Sequence, residues 1–125
     1  MSNPYKGRQG LDRLAHATRH SIDGFATAYR EESAFRQEFW LTVMLAPAGI
    51  WLGRNWVERS LLLGSLALVL IVELLNSGIE ATVDRISHEQ HDMSKKAKDL
   101  ASAAVMVSLL LCGGIWLSSV WARLA

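Results

Sequence analysis

The sequence has few of the residues that build disulfides or metal clusters, and its charges nearly balance. Its 125 residues include one cysteine, Cys112, and carry a formal net charge of +1. A lone thiol cannot form an intramolecular disulfide or a cysteine-rich metal site, and so small a charge does not indicate a nucleic-acid partner. The nine glycines are scattered. They form neither a G-x-x-x-x-G-K-[ST] phosphate loop nor a kinase-type glycine-rich loop, which excludes those nucleotide sites.

Apolar residues are abundant and lie in long runs. Half of the sequence is hydrophobic and its mean hydropathy is +0.16, which is unusual for a soluble domain of this size. Residues 66–72 and 105–112 lack the regularly spaced polar positions of a surface helix in a soluble bundle. We therefore predict one all-α membrane domain rather than a soluble three-helix bundle. The spans are predicted at residues 34–53, 58–84 and 98–122, with a loop at residues 85–97.

The first 33 residues are predicted to form a tail and a surface helix, with no cleaved signal peptide. Apolar positions recur with helical spacing from Leu11 to Tyr29, and charged residues occupy much of the remainder. This pattern predicts an amphipathic helix over residues 8–32 that lies on the membrane surface. Basic residues concentrate before the first span and between the second and third. The positive-inside rule then places the N-terminus and that loop in the cytoplasm, and the C-terminus outside.

A row of polar residues interrupts the second apolar run, which reads LIVELLNSGIEATVD over residues 70–84. On a helix that turns about 100° per residue, four of them fall within roughly 80° of arc: Glu73, Asn76, Glu80 and Asp84. An ionisable group inside a span costs several kcal/mol unless it pairs, is neutralised or lines a wet cavity. The row therefore predicts a polar cleft that opens to the cytoplasm, with Glu73 deepest. The alternative is that these residues only join neighbouring helices by hydrogen bonds.

Further charged residues lie at the same predicted depth. The segment REESAFRQE places Glu31, Glu32 and Glu38 where the surface helix meets the first span, and KKAKDLAS places Lys98 and Asp99 at the start of the third. Carboxylates and cations at one depth can hold Mg²⁺ and a polyphosphate, because Mg²⁺ prefers a few carboxylate oxygens completed by water and phosphate oxygens.

Three segments together resemble the prokaryotic diacylglycerol kinases. They are EESAFRQE, VELLNSGIEATVDR and KAKDLASAAV, and they match that family in order and spacing from about Arg13 onward. The resemblance implies an integral-membrane homotrimer of the bacterial cytoplasmic (inner) membrane, with a surface helix and three transmembrane helices per subunit. It also implies transfer of the γ-phosphate of MgATP to the primary hydroxyl of diacylglycerol, which gives phosphatidic acid.

The same resemblance implies a role for individual residues. Glu73 would be the catalytic base, Asn76 would help to order the site, and Glu32 and Glu80 would hold the Mg²⁺ that carries ATP. The other implied nucleotide contacts are Arg13, His20, Glu89, Gln90, His91, Lys98 and Asp99. The other implied lipid contacts, besides Glu73 itself, are Ser21, Ala34, Arg36, Glu38 and Ser102.

The sequence departs from the family pattern at a few positions and leaves alternatives open. Gly78 stands where alanine is expected, His20 stands where an aromatic residue is common, and SKKAKD has a lysine where glycine is frequent.

A related enzyme phosphorylates undecaprenol, but its first-span motif is closer to R-N-F-Q-F-H, so SAFRQE favours diacylglycerol. A small ion-conducting oligomer also suits intramembrane carboxylates. The polar row ends near Glu73, however, and LLLGSLALVLIV continues apolar to the other side.

Overall fold

The computed structural model of the chain describes residues 9–86 and 92–125. These residues form four helices and no strand: α1 (Gly10–Glu31), α2 (Ser33–Leu52), α3 (Trp56–Ile86) and α4 (Asp92–Leu124). Within the described residues, α3 and α4 are the helices long and apolar enough to cross a membrane. The predicted all-α class is confirmed for the described residues, and the second and third predicted spans coincide with these two candidate membrane helices. The crossing of α2, which carries Arg36 and Glu38 in its first two turns, stays a prediction.

The helices α3 and α4 extend beyond their predicted bounds. The prediction of a loop through residue 97 is wrong, because α4 already begins at Asp92. Two local interactions favour helix in this polar stretch. The carboxylate of Asp92 lies in the first turn, where it complements the helix dipole, and Lys95 Nζ lies 2.6 Å from Asp99 Oδ2, one turn further on. The bounds of α1 and α2 differ from the prediction by one or two residues.

An aromatic contact and an arginine hold the junction between α1 and α2. Phe35 is 2% exposed, and its ring centroid lies 6.4 Å from that of Phe25 on α1. Arg36 Nη1 donates to the carbonyl oxygens of Tyr29 at 2.7 Å and Arg30 at 3.2 Å. Carbonyls in the last turn of a helix have no partner within the helix. Arg36 therefore sets the direction in which α2 leaves α1.

Two arginines donate hydrogen bonds to the last carbonyls of α2 at its other end. Arg59 Nε donates to the Ile50 carbonyl at 2.9 Å, and Arg123 Nη1 donates to the Leu52 carbonyl at 3.3 Å. The Arg123 guanidinium also lies 4.3 Å from the ring centroid of Trp51, within the range of a cation–π interaction. Side chains from α3 and α4 thus hold the C-terminal end of α2.

The turn between α2 and α3 depends on a close approach at Gly53. A β-carbon there would lie 2.3 Å from Arg59 Cγ and 2.9 Å from the Arg59 backbone nitrogen. Asn55 Oδ1 then accepts the Glu58 backbone N–H at 2.9 Å, which caps the first turn of α3. The φ of Gly53 is −68°, which suits any residue. Glycine is therefore required there by the lack of space for a side chain and not by the backbone conformation.

The helices α3 and α4 form an antiparallel pair with polar contacts at both ends. The contacts are Ser119 Oγ to Glu58 Oε1 at 2.7 Å, Trp116 Nε1 to the Leu62 carbonyl at 3.2 Å, and Lys98 Nζ to Asp84 Oδ1 at 2.7 Å. Between them, Leu62, Leu66 and Val69 are buried. Many apolar side chains on the outer faces remain exposed in the single chain, among them Leu110 at 68% and Leu117 at 73%. Lipid chains or other protein copies can cover such faces.

We expect Gly53→Ala to destabilise the fold by about 1–3 kcal/mol, because the added methyl group forces backbone to move at the turn. The matched control is Gly64→Ala within α3, where a β-carbon meets no atom within 4 Å. Unfolding in detergent, followed by circular dichroism, measures both variants. Equal stability of the two would contradict the close approach at Gly53.

Candidate functional site

The predicted polar row lies on one continuous helix, α3. Exposure increases along it: Glu73 is 6% exposed, Asn76 and Glu80 are partly buried, and Asp84 is exposed. A carboxyl group withdrawn from water needs a compensating partner. The groups around Glu73 therefore define the centre of the site.

The side chain that meets Glu73 is a second acid, Glu38 of α2. The two side chains are close enough to interact electrostatically. One oxygen of the Glu38 carboxyl group, Oε2, is buried and has no hydrogen-bond partner among the described residues. Two adjacent carboxylates repel each other unless a proton or a cation intervenes. Glu38 is predicted from the sequence as a lipid contact, whereas its contact with Glu73 is not.

Asn76 lies about one helical turn beyond Glu73. Its Nδ2 donates to Glu80 Oε1 at 3.4 Å, which joins two members of the predicted row. Its Oδ1 is buried and, in the described part of the chain, accepts no hydrogen bond. A buried acceptor without a donor costs about 1–3 kcal/mol. The surroundings of Glu73 therefore favour a ligand that brings a hydrogen-bond donor, such as a hydroxyl group.

A cleft of about 660 Å³ separates α1 from α3. Glu31 and Glu32 line it at the end of α1, and Ser21 lines it about three helical turns earlier. Its α3 wall consists of Leu74, Ser77, Gly78 and Ala81. This wall lies roughly 100° around α3 from the polar row, so the cleft and the row occupy neighbouring faces. Ser21 and Glu32 thus line the cleft, whereas Glu73, Asn76 and Glu80 do not.

The departure at Gly78 falls on this cleft wall. A β-carbon at position 78 would meet no atom within 4 Å. Either glycine or alanine therefore fits the packing, and the difference from the family pattern leaves the neighbouring acids undisturbed.

The residues predicted to contact nucleotide lie in three places. Lys98 forms its ion pair with Asp84 where α3 ends and α4 begins, and Asp99 pairs with Lys95 of its own helix. Arg13 and His20 are exposed on α1. The remaining three predicted contacts lie outside the described residues: Glu89, Gln90 and His91.

The other residues predicted to contact lipid lie mainly at the α1–α2 junction. Ala34 is exposed there, and Ser102 is exposed on α4. The guanidinium of Arg36 is occupied by the last carbonyls of α1. Its observed contacts hold the junction together.

Glu32 and Glu80 have the donor chemistry that Mg²⁺ prefers. Both are partly buried carboxylates, and Glu32 stands at the joint where α1 ends and α2 begins. In residues 9–86 and 92–125, no three side chains of His, Cys, Asp or Glu gather closely enough to form a metal site by themselves. Two carboxylates completed by water and phosphate oxygens suit a Mg²⁺ ion that arrives with a polyphosphate.

Comparison with known proteins assigns the chain to a family. The family described as prokaryotic diacylglycerol kinase matches residues 19–120. A diacylglycerol kinase of Pseudomonas aeruginosa is 49% identical over 114 residues, which are 91% of this chain and 93% of the relative. Those of Escherichia coli K12, 40% identical over 114 residues (91% and 93%), and Haemophilus influenzae, 41% over 107 residues (86% and 91%), are also similar. This chain therefore belongs to the prokaryotic diacylglycerol kinase family and is a kinase.

Proposed function

We propose that the chain transfers the γ-phosphate of MgATP to the primary hydroxyl of diacylglycerol, which gives phosphatidic acid. The names of its relatives support the substrate and the reaction. One structural observation supports the site: a buried glutamate, Glu73, with unsatisfied acceptor oxygens on the neighbouring side chains Glu38 and Asn76. A lipid hydroxyl brings one hydrogen-bond donor to this group of acceptor oxygens while its acyl chains remain in the hydrocarbon.

Glu73 is the base in this proposal. The hydroxyl proton passes to the Glu73 carboxylate as the lipid oxygen bonds to the γ-phosphorus, and the bond from that phosphorus to the bridging oxygen of ADP breaks. Phosphoryl transfer depends chiefly on positioning and on stabilising oxygen charge. Asn76 supports the positioning, because its buried Oδ1 is one helical turn from the base.

The nucleotide end of the site contains the remaining charged residues. Glu32 and Glu80 would hold Mg²⁺, which neutralises charge on the phosphate oxygens when it is bound. Lys98 and Arg13 add positive charge for the phosphates. The further nucleotide contacts in this proposal are His20, Glu89, Gln90, His91 and Asp99.

We place the enzyme in the bacterial inner membrane as a homotrimer, with the N-terminus in the cytoplasm and α2 as the third span. The apolar outer faces of α3 and α4 support a lipid environment and contact between copies. Ser21, Ala34, Arg36, Glu38 and Ser102 are then the lipid contacts, together with the base.

The test of function is phosphorylation of defined lipids. We expect purified protein with radiolabelled ATP and Mg²⁺ to label diacylglycerol, and chromatography separates the product from undecaprenyl phosphate. Label found only in undecaprenol would identify undecaprenol as the acceptor of the same phosphoryl transfer. No label in either lipid, or proton flux through liposomes without turnover, would refute the proposed kinase reaction.

We expect Glu73→Gln to lower kcat by about 10²–10⁴-fold, the usual contribution of a general base, without loss of the folded oligomer. The matched control is Glu58→Gln on the same helix, because glutamine still offers an acceptor to Ser119 Oγ and position 58 lies at the far end of α3. Lipid phosphorylation and size-exclusion chromatography measure both variants. Near-normal turnover by Glu73→Gln would contradict the base assignment.

We expect Glu32→Gln and Glu80→Gln each to raise the Mg²⁺ concentration for half-maximal activity by about tenfold or more, which corresponds to about 1.4 kcal/mol. Each change removes one negatively charged ligand. Glu31→Gln is the control, since its carboxylate lies beside Glu32 on the same cleft but is given no metal in this proposal. An unchanged Mg²⁺ requirement in both test variants would refute the assigned ligands.

A further inference from the structure

A groove between α3 and α4 lies at the end of the helix pair opposite to the candidate site. Its volume is about 530 Å³, within the usual range of ligand pockets of about 300–1,000 Å³. Leu61 and Leu110 are 53% and 68% exposed in it, so the described part of the chain leaves the groove open. Below a polar mouth, the lining residues are apolar or small: Leu61, Leu110, Leu111, Gly114, Ile115 and Ala122.

The mouth of the groove contains a guanidinium group with donors to spare. Arg54 Nε lies 3.4 Å from Glu58 Oε2, and Glu58 Oε1 accepts from Ser119 Oγ at 2.7 Å. The Arg54 side chain is nevertheless 56% exposed, and its two terminal nitrogens make no hydrogen bond within the described residues. The exposed Ser118 lines the groove next to Ser119. Arg54 and Ser118 can therefore donate to an oxyanion at the mouth.

This end of the molecule has an excess of positive charge. Its described side chains include Arg54, Arg59 and Arg123 but one acid, Glu58, which gives a net charge of +2. Arg59 and Arg123 each donate to a carbonyl at the end of α2, and neither forms an ion pair with a described carboxylate. A phosphate suits guanidinium donors in both charge and geometry. An anion at the mouth would thus balance charge that the chain itself leaves unbalanced.

The length of the groove corresponds to one leaflet of a bilayer. Leu110 and Ala122 are 12 residues apart on α4, which is about 18 Å of helix, and half of the hydrocarbon core is about 15 Å. Trp51, Trp56 and Trp121 are between 69% and 77% exposed at the same end, as is typical of residues at a membrane interface. A phospholipid whose acyl chain follows the groove therefore brings its phosphate to the mouth.

We propose that this groove binds one phospholipid with a net negative headgroup, its phosphate against Arg54 and one acyl chain along Gly114. The inference goes beyond the kinase reaction and requires only that α3 and α4 span a bilayer.

A second copy of the chain is the competing occupant, because small residues such as Gly114 allow helices to approach closely. A packed helix would withdraw Arg54 and Ser118 from water, which is costly unless it supplies an acceptor. At this depth a copy in the same orientation offers one acid, Glu58, which is already bonded to its own Arg54 and Ser119. A phosphate supplies the acceptor, so the lipid is the better occupant.

Two neighbouring glycines test whether lipid occupies the groove. A β-carbon at Gly113 or Gly114 would meet no atom within 4 Å, but of the two it is Gly114 that lines the groove. Gly114→Leu therefore fills the groove, and Gly113→Leu is the matched control. We expect native mass spectrometry of detergent-purified protein to show phosphatidylglycerol retained by the wild type and Gly113→Leu, and bound about tenfold or more weakly by Gly114→Leu. Unchanged binding by Gly114→Leu would contradict the proposal.

Two substitutions of Arg54 test the headgroup contact. We expect the wild type to bind phosphatidylglycerol about tenfold or more tightly than phosphatidylcholine, whose headgroup has no net charge. Arg54→Gln should lose this preference, whereas Arg54→Lys should keep most of it because lysine retains the charge. Equal binding of the two lipids by the wild type, or an undiminished preference in Arg54→Gln, would overturn the proposal.

Size-exclusion chromatography of the same variants distinguishes a lipid from a second copy. Gly114→Leu should keep the oligomeric state of the wild type, since lipid and not protein occupies the groove. A smaller oligomer in Gly114→Leu but not in Gly113→Leu would identify a second copy as the occupant and refute the lipid site. The Arg54 variants decide the headgroup contact even where Gly114→Leu does not fold.

Discussion

A carboxyl group cannot leave water without a partner, and this constraint acts on Glu73 more than on any other acid of the row. The desolvation of an isolated carboxylate is so costly that such groups pair, neutralise or contact water. Glu73 meets the requirement through a second acid on the neighbouring helix. The position of α2 relative to α3 is therefore part of the candidate site, because a small shift of α2 would change how Glu38 meets Glu73.

The interactions at the two ends of α2 fix that position. Arg36 ties the start of the helix to the last carbonyls of α1, and Arg59 and Arg123 hold its final carbonyls. All three arginines act on backbone groups that a helix leaves unpaired at its ends. Because both ends are held, Glu38 is presented to α3 at a defined height. The tight turn at Gly53 has the same effect on the distance between the two helices.

Periodicity predicted the features that belong to single helices and missed those that arise between helices. The angular spacing of Glu73, Asn76, Glu80 and Asp84 correctly places them on one helix, since all lie within α3. The polar stretch before Leu100 was predicted as loop because its charges resemble a solvated segment. An ion pair one helical turn apart and an acid in the first turn make it helical instead. The contact of Glu38 with Glu73 could not be predicted, because spacing within a helix does not report which residue faces it from another.

The polar contacts of the α3–α4 pair also relate the protein to the thickness of its membrane. Glu58 and Asp84 are 26 residues apart on α3, which is about 39 Å of helix. The hydrocarbon core of a bilayer is about 30 Å thick. A helix of this length that spans a bilayer brings both ion-paired ends to the headgroup regions, either by tilting or by local adjustment of the bilayer. Glu73 lies about 16 Å along the helix from Asp84. The bilayer thus determines how far below the surface Glu73 lies, and under the proposed function a change of membrane thickness changes the geometry of the site.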